Sequence, residues 1–132
     1  MVGIVVVSHN RKLADEVVNF VNEMKRFDFP LLSAGGTEDG RFGSDPMKIK
    51  EVIEKAYIDE GVIVFGDIGS SILNAQMAID FLDDKFDKSK VIIANAPIVE
   101  GALVAVSTNS DDKNSMKRIL DELVQLKNFD KV

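Results

Sequence analysis

Apolar positions along the chain change period several times, and each change marks an element. Ile4-Val-Val-Val7 is an unbroken β-branched run, the pattern of a strand covered on both faces. From Leu13 the apolar residues recur at Val17, Phe20, Val21 and Met24, which predicts a helix with Asn10 as its N-cap. Phe29 to Ser33 reads as a short strand whose Pro30 suits a sheet edge. A helix follows, capped by Ser44 or Asp45, with Pro46 at its first position and a stripe of Ile49, Val52, Ile53, Ala56 and Tyr57. Gly61 to Phe65 is a second continuous apolar strand, followed by a helix with Leu73, Met77, Ala78 and Phe81 on one face. Val91 to Asn95 is the fourth strand. Residues 96 to 107 support two readings: their β-branched content suits a strand, while Pro97 and the small residues after it suit a buried helix. Thr108 to Asn114 is a polar break, and a last helix from about Ser115 carries Met116, Ile119, Leu120, Leu123 and Val124.

The order β-α-β-α-β-α-β-α-α predicts an α/β fold, a single-domain doubly wound open sheet of four parallel strands flanked by helices, spanning residues 1–132. In such a sheet the turns at Ser8-His9-Asn10, Gly35-Gly36-Thr37, Asp67 to Ser71 and Asn95 to Pro97 gather at one edge, where open α/β sheets bind their ligands.

Composition narrows the chemistry available at that edge. The chain has no cysteine and one histidine, His9, so a thiolate metal site is excluded and no metal is expected. Sixteen basic against 22 acidic residues give a net charge of −6, which argues against a nucleic-acid surface. No apolar run is long enough to span a bilayer and no signal pattern precedes the first strand, so a cytoplasmic protein is expected. Neither a P-loop nor a Gly-x-Gly-x-x-Gly fingerprint is present, and Ser70 does not sit in a nucleophile elbow. No cofactor is expected.

The candidate chemistry therefore rests on one imidazole, carboxylates, hydroxyls and backbone. An aspartate accepting a hydrogen bond from one imidazole nitrogen fixes the tautomer and leaves the other nitrogen as a nucleophile, a role open to Asp67 toward His9. Asp67 would otherwise simply cap the helix that follows it. The segment from Ala34 to Asp45 holds four of the nine glycines and is long for a connection; such a loop can wrap a ligand with its N–H groups. Thr37, Ser70 and Ser71 could hold phosphate oxygens, although hydroxyls at helix starts also serve as caps.

Four blocks carry a resemblance: Gly3-Ile-Val-Val-Val-Ser-His-Asn-Arg-Lys-Leu-Ala14, Ala34-Gly-Gly-Thr-Glu-Asp-Gly-Arg-Phe-Gly43, Gly61-Val-Ile-Val-Phe-Gly-Asp-Ile-Gly-Ser70 with Asn74, and Ala96-Pro-Ile-Val-Glu-Gly-Ala102. Over nearly its whole length the chain resembles the DhaM phosphotransferase subunits of phosphoenolpyruvate-dependent dihydroxyacetone kinases, relatives of mannose-type enzyme IIA domains. The second and fourth blocks separate it from the sugar-transport branch. The resemblance implies that His9 accepts a phosphoryl group from the carrier protein HPr and passes it to ADP bound in a DhaL subunit, which works with DhaK. It also implies that Asp67 orients the ring, that Gly36, Thr37, Gly69 and Ser70 line the phosphate site, and that the domain is a homodimer. Mannose-type relatives add a swapped C-terminal edge strand, which the helical tail here does not predict. Asn10 and Ser71 depart from the small polar residue and the alanine expected there. With one domain, the chain is expected to draw its phosphoryl group from separate proteins. Two other readings remain open: a mannose-type enzyme IIA serving a sugar transporter, and a module that binds an anion at His9 without chemistry.

Overall fold

The β-branched run at the start of the chain is the centre of the sheet. In the computed structural model, which describes residues 1–132, β1 (Gly3–Val7) is buried at every position. It lies between β2 (Leu31–Ser33) and β3 (Val62–Gly66), and β4 (Val91–Ile93) closes the order β2-β1-β3-β4, with every pairing parallel. Val5 stands beside Leu32 on one side and Val64 on the other. β2 is an edge strand, as Pro30 suggests, and the Pro30 carbonyl still accepts the Ile4 N–H at 2.9 Å.

The alternation along the strands divides the core in two. Val2, Ile4, Val6, Ile63 and Phe65 point to one face, where α1 (Arg11–Asn22), α4 (Ile98–Thr108) and α5 (Ser115–Val124) cover them. Val5, Val7, Val62 and Val64 point to the other, under α2 (Pro46–Ala56) and α3 (Gly69–Asp80). Each buried valine or isoleucine is worth about 1.5–3 kcal/mol of transfer free energy, so the strands whose ends carry the site are held firmly.

Residues 96–107 resolve as helix. α4 buries Gly101, Ala102, Ala105 and Val106, and a Cβ at Gly101 would come within 2.8 Å of the Phe65 ring, so the absence of a side chain lets this helix lie close against β3. α3 departs from its expected face. Of Leu73, Met77, Ala78 and Phe81 only Ala78 is buried, and the helix instead turns Ser71, Ala75 and Ala78 inward. α3 packs against α2 and the strands mainly through small residues, which leaves Leu73 and Met77 outside while Ile79 packs partly against the core. α1 does the same in part: Ala14, Val17 and Val21 are buried while Phe20 is exposed, and Met24, just past its end, is half-exposed. No helix is long and apolar enough to cross a membrane.

Candidate active site

The chain leaves β1 toward one side of the sheet and reaches β3 on the other, so the crevice at the carboxyl ends of these two neighbours is a topological switch point. His9 lies two residues past the end of β1 and Asp67 one past the end of β3. The parallel register brings the two together: His9 Nδ1 is 3.0 Å from Asp67 Oδ1, and His9 is only 6% exposed.

Asp67 is not the cap of α3, whose N-cap is Ile68 with no side-chain cap hydrogen bond; its carboxylate is turned to the β1 turn instead. Its Oδ2 accepts the Ser8 hydroxyl at 2.8 Å and the His9 backbone N–H at 3.1 Å; its Oδ1 accepts the Ile68 N–H at 2.8 Å besides the imidazole. The Ser71 hydroxyl lies between Asp67 Oδ1 at 2.7 Å and the Ile68 carbonyl at 2.8 Å. Partial burial pushes the carboxyl upward, but the hydrogen bonds from Ser71, Ser8, the His9 N–H and the Ile68 N–H outweigh it and hold Asp67 well below the usual carboxylate range. An ionised carboxylate only accepts, so His9 Nδ1 must carry a proton, and in the neutral ring that leaves the lone pair on Nε2. That nitrogen is met by the Ser70 hydroxyl, in the first turn of α3.

The sign of the Asp67 shift makes a prediction for acid stability. A carboxyl lowered in the folded state contributes stability that is fully present above its unfolded value, about 3.9, and is lost as the pH falls through the folded one. The melting temperature of the native chain should drop below about pH 4 more steeply than that of Asp67→Asn, which has no such carboxyl to protonate. Parallel slopes in thermal melts between pH 5 and pH 2 would contradict this.

The glycine-rich loop closes over the same edge. The Gly43 N–H donates to the His9 carbonyl at 2.8 Å and the Gly36 N–H to the Ser8 carbonyl at 3.0 Å. Lys48 Nζ reaches the Gly35 carbonyl at 2.7 Å, and the Asn74 side chain holds the Ser44 hydroxyl at 2.5 Å, tying loop to α2 and α3. Gly43 takes φ 135°, a conformation that only glycine adopts readily, and it directs Phe42 back onto the imidazole. The two rings lie 5.5 Å apart at 31°.

Set against the sequence-based expectations, His9, Asp67 and Ser70 converge, and Gly69 opens the helix beside them, where a Cβ would meet nothing within 4 Å. Gly36 and Thr37 lie on the loop, but their groups are turned to its own structure. The Gly36 N–H is spent on Ser8, and the Thr37 hydroxyl donates to Asp39 Oδ1 at 2.5 Å while accepting the Arg41 N–H at 3.0 Å. Neither is free to bind an anion in this conformation. Ser8 and Phe42 join the site without having been singled out. Ser8 could have been found as the hydroxyl next to the only histidine, and Phe42 as the one aromatic residue in a polar, glycine-rich stretch.

Comparison with known proteins places the chain beside one family, two relatives and two solved structures. Residues 3–120 match the EIIA-man family, described as the PTS system fructose IIA component. The chain is 36% identical to PEP-dependent dihydroxyacetone kinase 2, phosphoryl donor subunit DhaM, of Listeria innocua, over 96% of this chain and 99% of that one. It is 33% identical to the corresponding DhaM of Providencia stuartii over 95% of this chain, which spans about a quarter (26%) of that longer protein. Among solved structures, a protein of unknown function, EF1359, superposes with a TM-score of 0.73 at 33% identity, covering 91% of this chain and 90% of that one. The mannose/sorbose-specific IIA subunit of the phosphotransferase system from Enterococcus faecalis superposes with a TM-score of 0.62 at 15% identity, covering 98% and 93%; this similarity concerns the fold.

Proposed function

The chain belongs to the EIIA-man family and, within it, to the DhaM phosphoryl donor subunits of PEP-dependent dihydroxyacetone kinase, and from that premise we propose that His9 Nε2 is the atom that carries the phosphoryl group. The observation that carries this reading is the Asp67 carboxylate on Nδ1, which leaves Nε2 as the nucleophile of a nearly buried imidazole.

The phosphoryl group comes from a phosphohistidine of HPr. As the donor P–N bond breaks, a new bond forms between phosphorus and His9 Nε2, and the donor nitrogen keeps the electron pair. The His9 ring then gains positive character, which Asp67 balances through the Nδ1–H. Ser70 turns its hydroxyl from Nε2 toward a phosphoryl oxygen, and the N–H groups of Gly69 and Ser70 at the start of α3, which have no acceptor within their own helix, suit an anion, while that of Ser71 is held by the Ile68 carbonyl. Gly36 and Thr37 take part by shaping the loop that closes the pocket. In the second step a terminal phosphate oxygen of ADP, bound in a DhaL subunit that works with DhaK, attacks phosphorus; ATP forms and the imidazole recovers its lone pair. The chain acts in the cytoplasm as a homodimer. Exposed apolar residues near the site, Phe42, Ile68 and Leu73, suit a surface used by protein partners in turn.

The test uses the whole chain with phosphoenolpyruvate, enzyme I and HPr, followed by intact-mass measurement at alkaline pH. One phosphoryl group is expected, discharged by DhaL with ADP. Discharge only to the sugar-transport subunit that follows a mannose-type IIA would move the protein to that branch, and no uptake from an active HPr would leave an anion-binding module.

A further inference from the structure

Phe42 is 75% exposed and belongs to neither half of the core, yet its ring lies beside the imidazole of His9, with centroids 5.5 Å apart and planes tilted by 31°. An exposed phenyl ring gains little from burial here, so the fold does not require it. The loop around it is nevertheless built with some care. Thr37 and Arg41 close a turn by hydrogen bonds at 2.9 and 3.0 Å, Gly43 bonds the His9 carbonyl, and Ser44 is held by Asn74, so the residue between Arg41 and Gly43 has little freedom of position. The imidazole thus has two neighbours that limit its movement: Asp67, hydrogen-bonded to Nδ1, and the Phe42 ring beside it.

We infer that Phe42 is a positioning and shielding residue for His9, which keeps the imidazole plane aligned and water away from its phosphorylated form. The inference rests on the phosphohistidine reading above. A phenyl ring has no hydrogen-bonding group, so it covers the imidazole without competing for Nδ1 or Nε2. The reaction that it opposes is hydrolysis. There a water oxygen forms a bond to phosphorus, the P–Nε2 bond breaks, the imidazole nitrogen keeps the electron pair, and the water gives up a proton, releasing orthophosphate.

The experiment compares the native chain with Phe42→Ala, Phe42→Leu and Phe42→Tyr. Each is loaded through HPr, separated from its donors, and followed by intact mass in neutral buffer. Phe42→Ala should lose its phosphoryl group about two- to tenfold faster, the range open to one aromatic contact. Phe42→Tyr should restore the native lifetime, Phe42→Leu should fall between them, and all four should melt together. A loaded native chain and Phe42→Ala with equal lifetimes would overturn the role of Phe42 alone. Slower loading of Phe42→Ala with a native lifetime would also overturn it, and would make Phe42 a contact for the donor. A native chain that takes up no phosphoryl group would overturn the phosphohistidine reading and this inference with it.

Discussion

His9→Ala takes up no phosphoryl group under conditions that load the native chain completely. The loss is total because nothing can stand in: the chain has no second histidine and no cysteine, and the nearest hydroxyl, that of Ser70, loses with the imidazole the base that faces it. Asp67 keeps its other four donors, from Ser8, the backbone of His9 and Ile68, and Ser71, so the pocket retains its frame. The folded state should lose only about 1–3 kcal/mol for one missing hydrogen bond and the space left behind. Thermal melting and far-UV circular dichroism check that the variant is folded, and intact mass at alkaline pH reads the phosphate. Residual phosphate on folded His9→Ala would place the chemistry on another residue.

Asp67→Asn slows loading by about two to four orders of magnitude, the range that follows loss of correct proton placement in other catalytic sites. Five donors converge on two carboxylate oxygens, and an asparagine offers one oxygen and one NH2 group. With the NH2 in place of Oδ2 it meets the His9 N–H. In place of Oδ1 it meets the Ile68 N–H and the imidazole, and the ring must then move its proton to Nε2 to accept. One orientation leaves a backbone donor unpaired; the other does so and also removes the nucleophile. The variant should therefore load slowly and lose about 1–3 kcal/mol of stability. Single-turnover loading from phosphorylated HPr gives the rate, and thermal melts give the second quantity. Loading at the native rate would mean that the tautomer does not depend on Asp67.

Why these two residues could be found from sequence is a matter of geometry. Each follows directly on a continuous apolar run, and parallel strands that pair in register must bring such residues to one edge. The helical face of α1 was legible in part, since Val17 and Val21 are buried, and so were the caps at Asn10 and Asp45, which accept the Leu13 and Met47 N–H groups. Three things were not. Periodicity cannot choose between strand and helix for 96–107, because a buried helix of Gly, Ala and Val has apolar residues all round; tight packing of Gly101 on Phe65 decides it. The same blindness put Leu73, Met77 and Phe81 together without revealing that α3 turns its alanines to the core. In the loop, the competition was local. Thr37 has Asp39 and Arg41 within reach, and these near neighbours, rather than a phosphate, take its hydrogen bonds.

The central claim is that a proton held by Asp67 on Nδ1 directs phosphorylation to the other nitrogen of His9. Long-range proton–nitrogen correlation spectra of the 15N-labelled chain, recorded before and after loading through HPr, test it most directly. With a single histidine, the spectra have one imidazole to report. The expected result is a protonated Nδ1 in both states, with phosphorus appearing on Nε2 after loading. Phosphorus on Nδ1, or an unloaded ring with its proton on Nε2, would contradict the account.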